Sequence, residues 1–287
     1  MRTLYIFLSL ILVLASCSTH TSHHLPSQFN EISGIDNLGE GLLLSINDSG
    51  NGPFLYIMGE DNGSVLHKMF VSGARNIDWE DISVEGQDLY IGDIGNNLND
   101  RKDLCIYKVR IEFNWSYTIQ GVDTTHNFPD TLIAEPLSFY YPDQITFPPE
   151  DSQMNFDSEA LTYADGKLLI LSKDRSKPYK GICKIYETDL SNNLLEVKLL
   201  QEIQLKGASW LTGSVTGCDY LNNKLYVLTY KRLYIFERRK GQFELLRQKK
   251  LGLLQQWEGI CVDSEEQIRI VAEKSRLGKQ KMKIIKL

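Results

Sequence analysis

Glu80-Asp81-Ile82-Ser83-Val84-Glu85-Gly86-Gln87-Asp88-Leu89-Tyr90-Ile91-Gly92-Asp93 starts polar, runs apolar into a turn at Gly86-Gln87, and returns as an apolar strand that ends polar. The pattern recurs. Further copies start at Ser33-Gly34-Ile35-Asp36, Glu159-Ala160-Leu161-Thr162, Thr216-Gly217-Cys218-Asp219 and Glu258-Gly259-Ile260-Cys261. An apolar residue follows nine positions after the first residue at Leu42, Leu89, Leu168 and Leu225, and slips by one to Ile268 in the last copy. A repeat of this length with several strands in each copy is the signature of a β-propeller or related radial array.

Beyond each hairpin the β-branched and aromatic runs at 54–57, 104–109, 182–186, 233–236 and 282–285 read as third strands. Fourth strands follow at 65–71, 132–141, 195–205 and 243–251, but the last copy has none of its own. The segment just before Glu31 is expected to supply that edge and close the ring, which protects a strand that would otherwise template aggregation. The expected fold is therefore all-β, a propeller of five four-stranded blades. Six blades is the alternative, because the interval from Glu80 to Glu159 is long enough for either an insertion near 114–130 or a degenerate blade.

At 287 residues, 42% hydrophobic and 24% charged, the chain can bury a sizeable core as one domain, here 28–287. A net charge of −6 and the lack of a basic stripe argue against nucleic acid as partner. The apolar run from Leu4 to Ala15 behind Arg2 is too short to span a bilayer and reads as a signal peptide over 1–16. It ends in Leu14-Ala15-Ser16-Cys17, which resembles the lipobox of bacterial lipoproteins. That resemblance implies acylation of Cys17, palmitate included, and anchoring in the cell envelope, at the outer membrane, with the membrane met through the lipid alone. The polar residues up to position 27 then read as a tether. Cys105, Cys183, Cys218 and Cys261 fall in apolar strand patterns and are expected as free, buried thiols.

Partners in an antiparallel hairpin have a constant sequence sum, so the turns set the pairs. Turns at Gly39-Glu40, Gly86-Gln87, Asp165-Gly166, Asn222-Asn223 and Glu265-Glu266 put Ser33 opposite Ile46 or Asn47, Glu80 opposite Asp93, Glu159 opposite Ser172, Thr216 opposite Thr229 and Glu258 opposite Glu273. These polar ends share one rim, the mouth of the central channel. The second repeat position is small in four copies, as crowded inner strands require; Asp81 is the exception. Carboxylate against carboxylate is destabilising, so a raised pKa, a cation from Lys173, Lys231 or Lys274, or a bound metal must offset it. Glu80, Asp93, Glu258 and Glu273 are the candidate metal ligands, and oxygen-only donors suit Ca²⁺ or Mg²⁺. Asn47, Asp48, Asp81, Asn96, Lys173, Asp174 and Lys274 are candidate ligand-binding rim residues, and Glu159 a candidate catalytic base.

A bland reading stands beside each of these. Rim glutamates can simply accept backbone amides of the next blade, and Trp79 and Trp257 suit blade packing. Asn47-Asp48-Ser49-Gly50-Asn51-Gly52 half matches a calcium loop, but Met58 stands where its glutamate belongs. No Gly-x-Ser-x-Gly, phosphate-cradling glycine loop or HExxH occurs, so catalysis would rest on carboxylates and a metal-bound water.

The stretches Asn47-Asp-Ser-Gly-Asn, Asp78-Trp-Glu-Asp-Ile, Ile91-Gly-Asp-Ile-Gly-Asn-Asn, Tyr141-Pro-Asp and Phe156-Asp-Ser-Glu-Ala-Leu resemble a group of exported bacterial propellers. They are more distantly similar to phytase-like esterase and gluconolactonase propellers. The resemblance implies a propeller with a polar mouth and leaves two activities open, because fold alone does not choose function. One is an anchored propeller binding a ligand or protein partner. The other is a Ca/Mg-assisted hydrolase of a phosphate ester or lactone.

Overall fold

Each copy folds as a four-stranded antiparallel meander, because its alternating apolar residues are buried on both faces of the sheet. The computed structural model describes residues 21–112, 114–116, 125–190, 194–252, 255–265, 267–276 and 278–287. Blade 1 comprises Ile32–Gly39, Leu42–Asn47, Phe54–Gly59 and Val65–Ser72, and blade 2 Trp79–Glu85, Asp88–Asp93, Cys105–Arg110 and Thr131–Phe139. Blade 3 comprises Asp157–Ala164, Lys167–Lys173, Ile182–Asp189 and Val197–Gln204, and blade 4 Val215–Leu221, Lys224–Thr229, Arg232–Arg239 and Gln242–Lys250. Blade 5 has three strands from the C-terminal region, Trp257–Ser264, Gln267–Ala272 and Lys281–Lys286, and takes its fourth from Ser22–His24. His23 pairs with Met282 in that closing ladder.

The first strands of successive blades pack against one another in cyclic order, and blade 5 meets blade 1, so the ring is a β-propeller. The five blade-to-blade interfaces match five apolar clusters. Leu44, Ile57, Trp79 and Ile91 fill the gap between blades 1 and 2, and Ile94, Tyr141, Leu161 and Tyr186 the next. Leu171, Cys183, Val227 and Phe236 lie between blades 3 and 4, and Leu228, Trp257, Ile260 and Ile270 between 4 and 5. Phe29, Ile35, Cys261, Val271 and Met282 seal the ring. Each fully buried aliphatic side chain contributes about 2 kcal/mol of transfer free energy. Trp79 and Trp257 are packing residues, as the bland reading had it.

Polar side chains on the first strands tie neighbours together. The Asp36 carboxylate accepts the Val84 amide of blade 2 at 2.6 Å, Ser83 Oγ accepts the Tyr163 amide of blade 3 at 2.9 Å, and Asp219 accepts the Val262 amide of blade 5 at 2.6 Å. The small second position follows from the same crowding: a Cβ on Gly217 would sit 2.4 Å from the Glu258 carbonyl oxygen, and one on Gly259 2.4 Å from that of Ser33.

The extra length between Glu80 and Glu159 is an insertion: Asn114–Ser116 and Thr125–Asn127 pair as a separate hairpin. No sixth blade occurs among the described residues. The expected tether is shortened, since Ser22–His24 is a strand and Ser27–Phe29 a 3₁₀ turn. At the periphery, Phe70 to Ser72 run parallel to Thr131 to Ile133, which joins blades 1 and 2 into one sheet. The first hairpin turns at Glu40-Gly41, one residue later than expected, because Gly39 pairs with Leu42. Cys105, Cys183, Cys218 and Cys261 are free and buried. Among the described residues no helix is long and apolar enough to cross a membrane. Residues 1–20, with the signal peptide and Cys17, lie outside the described residues.

Candidate functional site

In all five blades the ladder between the first and second strands skips at the rim residue. Trp79 pairs with Asp93 and Asp81 with Gly92; Ser158 pairs with Ser172 and Ala160 with Leu171; Trp257 pairs with Ala272 and Gly259 with Val271. Thr216 and the Ser33-Gly34 pair are bypassed in the same way. A β-bulge re-aims the extra side chain and bends the strand. The bulged side chains of Ser33, Glu80, Glu159 and Glu258 line one cavity of about 230 Å³, together with Asp48, Asn97, Lys173, Arg175, Trp210, Tyr230 and Glu273.

One wall carries the positive charge. Lys173 Nζ lies 2.6 Å from Glu159 Oε2 and 3.3 Å from the Tyr230 hydroxyl, all three buried. Arg175 Nε meets Asp157 at 2.6 Å, its terminal nitrogen reaches Glu159 at 3.4 Å and Asn97 more closely, and its guanidinium stacks 5.0 Å from the Trp210 ring centroid. Burial works against both cations, but the carboxylates beside them hold their pKa values above the ordinary range. Burial pushes Glu159 up to about 7, against the pull of Lys173.

The side of the cavity formed by blades 1 and 2 is acidic. Asp48 follows the second strand of blade 1, and Asp78 and Glu80 open the first strand of blade 2. One carboxylate oxygen from each lies within 4.8 Å of the other two. Asp48 and Asp78 share a hydrogen bond between carboxyls, which needs a proton on one of them; burial and then the Asp48 charge raise Asp78 to about 7. Glu80 is 6% exposed, and no cation or hydrogen-bond donor meets its carboxyl among the described residues. Burial, then the charges of Glu159, Asp48, Asp78 and Asp157, push its pKa far up. An ionised pair at the 4.8 Å limit of this cluster repels by about 3.5 kcal/mol at an effective dielectric of about 20. Gly95 makes this approach possible, because a Cβ there would lie 2.3 Å from both Asp78 Oδ2 and Glu80 Oε1.

Glu258 and Glu273 also meet through their carboxyls. Burial and then Glu273 raise Glu258 far above the carboxylate range, and Glu273, which accepts Gln256 at 2.6 Å, rises to about 7, mainly by burial.

The fold thus brings Asp48, Glu80, Glu159, Lys173, Glu258 and Glu273 together, and leaves other expected residues elsewhere. Asp93 is a correction: the bulge at Glu80 shifts the register, so Asp93 faces Trp79 and its carboxylate accepts the Asp78 amide and Arg101, each at 3.0 Å. Ser172 likewise faces Ser158 and Thr229 faces Val215, one residue off the constant-sum pairing. Asn47 donates to the Gln28 carbonyl, and Asn96 bonds Phe156 and Asp157 across the seam between blades 2 and 3. Asp174 caps its own loop through the amides of Ser176, Lys180 and Gly181. Lys274 is exposed outside the cavity lining, and Lys231 Nζ donates to the Gln255 carbonyl. The half-matching calcium loop is a connecting turn, and Met58 is core.

Asp81 lies below the mouth. Its carboxylate accepts the amides of Ile82 at 2.9 Å, Leu161 at 3.0 Å and Cys218 at 3.4 Å, which joins blades 2, 3 and 4. Sequence reasoning missed Asp78, Asp157, Tyr230 and Trp210. A signal existed for two of them, since both Asp78-Trp79-Glu80 and Asp157-Ser158-Glu159 place an acid two residues before a rim glutamate.

No protein-family model matches the chain, and no curated protein matches it in sequence. Among solved structures, the glutaminyl cyclase of Myxococcus xanthus is similar with a TM-score of 0.51 and 10% identity, covering 92% of this chain and 93% of that one. The β-propeller domain of Cps50 (Swd1) from Myceliophteria thermophila aligns at 0.41 and 12% identity over 92% and 98% of the two chains. A putative glucose dehydrogenase from Thermus thermophilus aligns at 0.48 and 10% over 93% and 100%. The first of these supports the propeller fold and nothing finer.

Proposed function

We propose that the protein is a lipid-anchored binding propeller of the bacterial cell envelope, whose channel mouth takes up a ligand or partner segment carrying positive charge. The observation that carries this reading is a charge imbalance. Asp48, Glu80, Glu159, Glu258 and Glu273 line the mouth with Asp78 and Asp157 beside them, while Lys173 and Arg175 are already engaged by Glu159 and Asp157. Crowding keeps protons on several of these acids while the mouth is empty, and a cationic ligand would release those protons and pair with the carboxylates that result.

Trp210, 40% exposed at the rim, provides the readout. Tetralysine or spermine titrated at low salt should shift its emission saturably, salt should weaken the response, and Trp210→Phe should abolish it. An unchanged spectrum at millimolar probe would overturn the reading. The anchor is tested separately: Cys17→Ala should lose labelled palmitate and leave the membrane fraction, and retention there would overturn it.

The buried Glu159, with a pKa of about 7 beside the cavity, favours a second reading, hydrolysis of a phosphate ester or lactone with Glu159 as general base. Glu159→Gln should then abolish hydrolysis of p-nitrophenyl phosphate or a γ-lactone. A wild-type protein inert toward both, with calcium present, would remove that reading.

A further inference from the structure

We propose that Asp48, Asp78 and Glu80 form a binding site for a hard divalent cation, calcium by geometry, at the seam between blades 1 and 2. This rests on the mouth being a binding site and names what one wall of it holds. Three observations meet here. One oxygen from each of the three carboxylates lies within 4.8 Å of the others, and oxygens that share a calcium ion at about 2.4 Å can be at most twice that distance apart. Glu80 is 94% buried, and its carboxyl lines the cavity with neither a cation nor a donor on it among the described residues. A buried polar group of this kind costs free energy unless something satisfies it. The third observation is the notch at Gly95, where a Cβ would sit 2.3 Å from an oxygen of Asp78 and of Glu80 alike.

The donor set selects the ion. All three side chains are carboxylates and the cavity lining contains no histidine or cysteine, which disfavours zinc. The three come from a loop and from the start of a bulged strand, an irregular arrangement that calcium tolerates better than magnesium does. Asp48 and Glu80 line the cavity, so the remaining coordination positions fall to water.

The test is thermal unfolding and calorimetric titration of the full chain with calcium chloride, against EDTA. Calcium at about 100-fold over its dissociation constant should raise Tm by roughly 5 °C. EDTA should reverse the rise, and magnesium should act more weakly. Glu80→Gln should fold with an apo Tm at or above wild type and lose the calcium response, and Asp48→Asn should weaken it at least tenfold. Identical Tm values in millimolar calcium and in EDTA, with no heat of binding, would overturn the proposal. So would a full response in both variants, which would move the ion elsewhere. The tetralysine titration run in EDTA keeps the two readings apart. Tetralysine binding without any calcium response sinks the metal site alone. Calcium binding without tetralysine binding sinks the cationic partner and leaves the metal site standing.

Discussion

The channel carries carboxylates at two depths, and they are held in opposite ways. Below the mouth, Asp36 and Asp219 each accept two backbone amides and Asp81 three, several from neighbouring blades. At the mouth, the Glu80 carboxyl accepts nothing among the described residues and faces four other acids. Burial is comparable at both depths, so what separates them is donors. Acids saturated with amides are mortar between blades, whereas an acid held against other acids is strained toward whatever cation arrives.

The sharpest way to break this contrast is to remove one acid at each depth. Asp81→Ala strands the Leu161 and Cys218 amides inside the channel, and should cost about 3 kcal/mol in urea unfolding. A loss under about 1 kcal/mol would show that Asp81 does not hold the blades together.

The deep acids also set a pH dependence. Burial raises Asp36 from 3.8 to about 7, despite the amides of Val84 and Asn37 that pull it down. The folded state therefore keeps a proton that the unfolded chain releases. Its stabilising contribution is complete below about pH 4 and is lost as pH rises through about 7. The Tm measured from pH 4 to 8 should fall along that window, and Asp219→Asn, which removes a second carboxyl that burial and then Asp36 hold protonated in the fold, should flatten the slope. A Tm that rises steadily with pH would contradict it.

Mouth substitutions should act with the other sign. Glu258→Gln relieves its contact with Glu273, and in EDTA at pH 8 should stabilise the protein by about 1 kcal/mol. Destabilisation in EDTA would mean that the two carboxyls share a proton worth keeping. The smallest expected effect on stability belongs to Trp210→Ala, within about 1 kcal/mol, because the residue is 40% exposed and loses chiefly its stack with Arg175. The same substitution should weaken tetralysine binding; unchanged affinity would place the ligand away from this rim.

The ring was legible in the sequence because the repeat is written into every blade. Five polar starts, the small second position and the missing last strand were enough for five blades and for closure by residues before Glu31. The register at the rim was not legible. A constant-sum pairing assumes an unbroken ladder, and a bulge at Glu80 leaves no mark in the residue types, so Asp93 was assigned to the mouth. Glu258 and Glu273 still meet because both carboxyls reach the cavity whatever the ladder does. Trp210 could not be found by repeat position, since the short helix Trp210–Gly213 lies in the link between blades 3 and 4, where no other copy provides a template. Asp78 and Asp157 lie two residues before the repeat's polar start and recur in only two of the five copies, so repeat position does not single them out, although the Asp-x-Glu spacing is visible.

The outer seam between blades 1 and 2 bears on the acidic wall at the axis. Phe70 to Ser72 and Thr131 to Ile133 fasten the two blades at their far edge, while Asp48 and the pair Asp78 and Glu80 face each other at the near edge. Like a pair of jaws riveted at the back, these blades have little freedom to swing apart and ease the crowding. Whatever settles between them would register as stiffness along the whole wedge, from rivet to tip, and hardly at all as a change of shape.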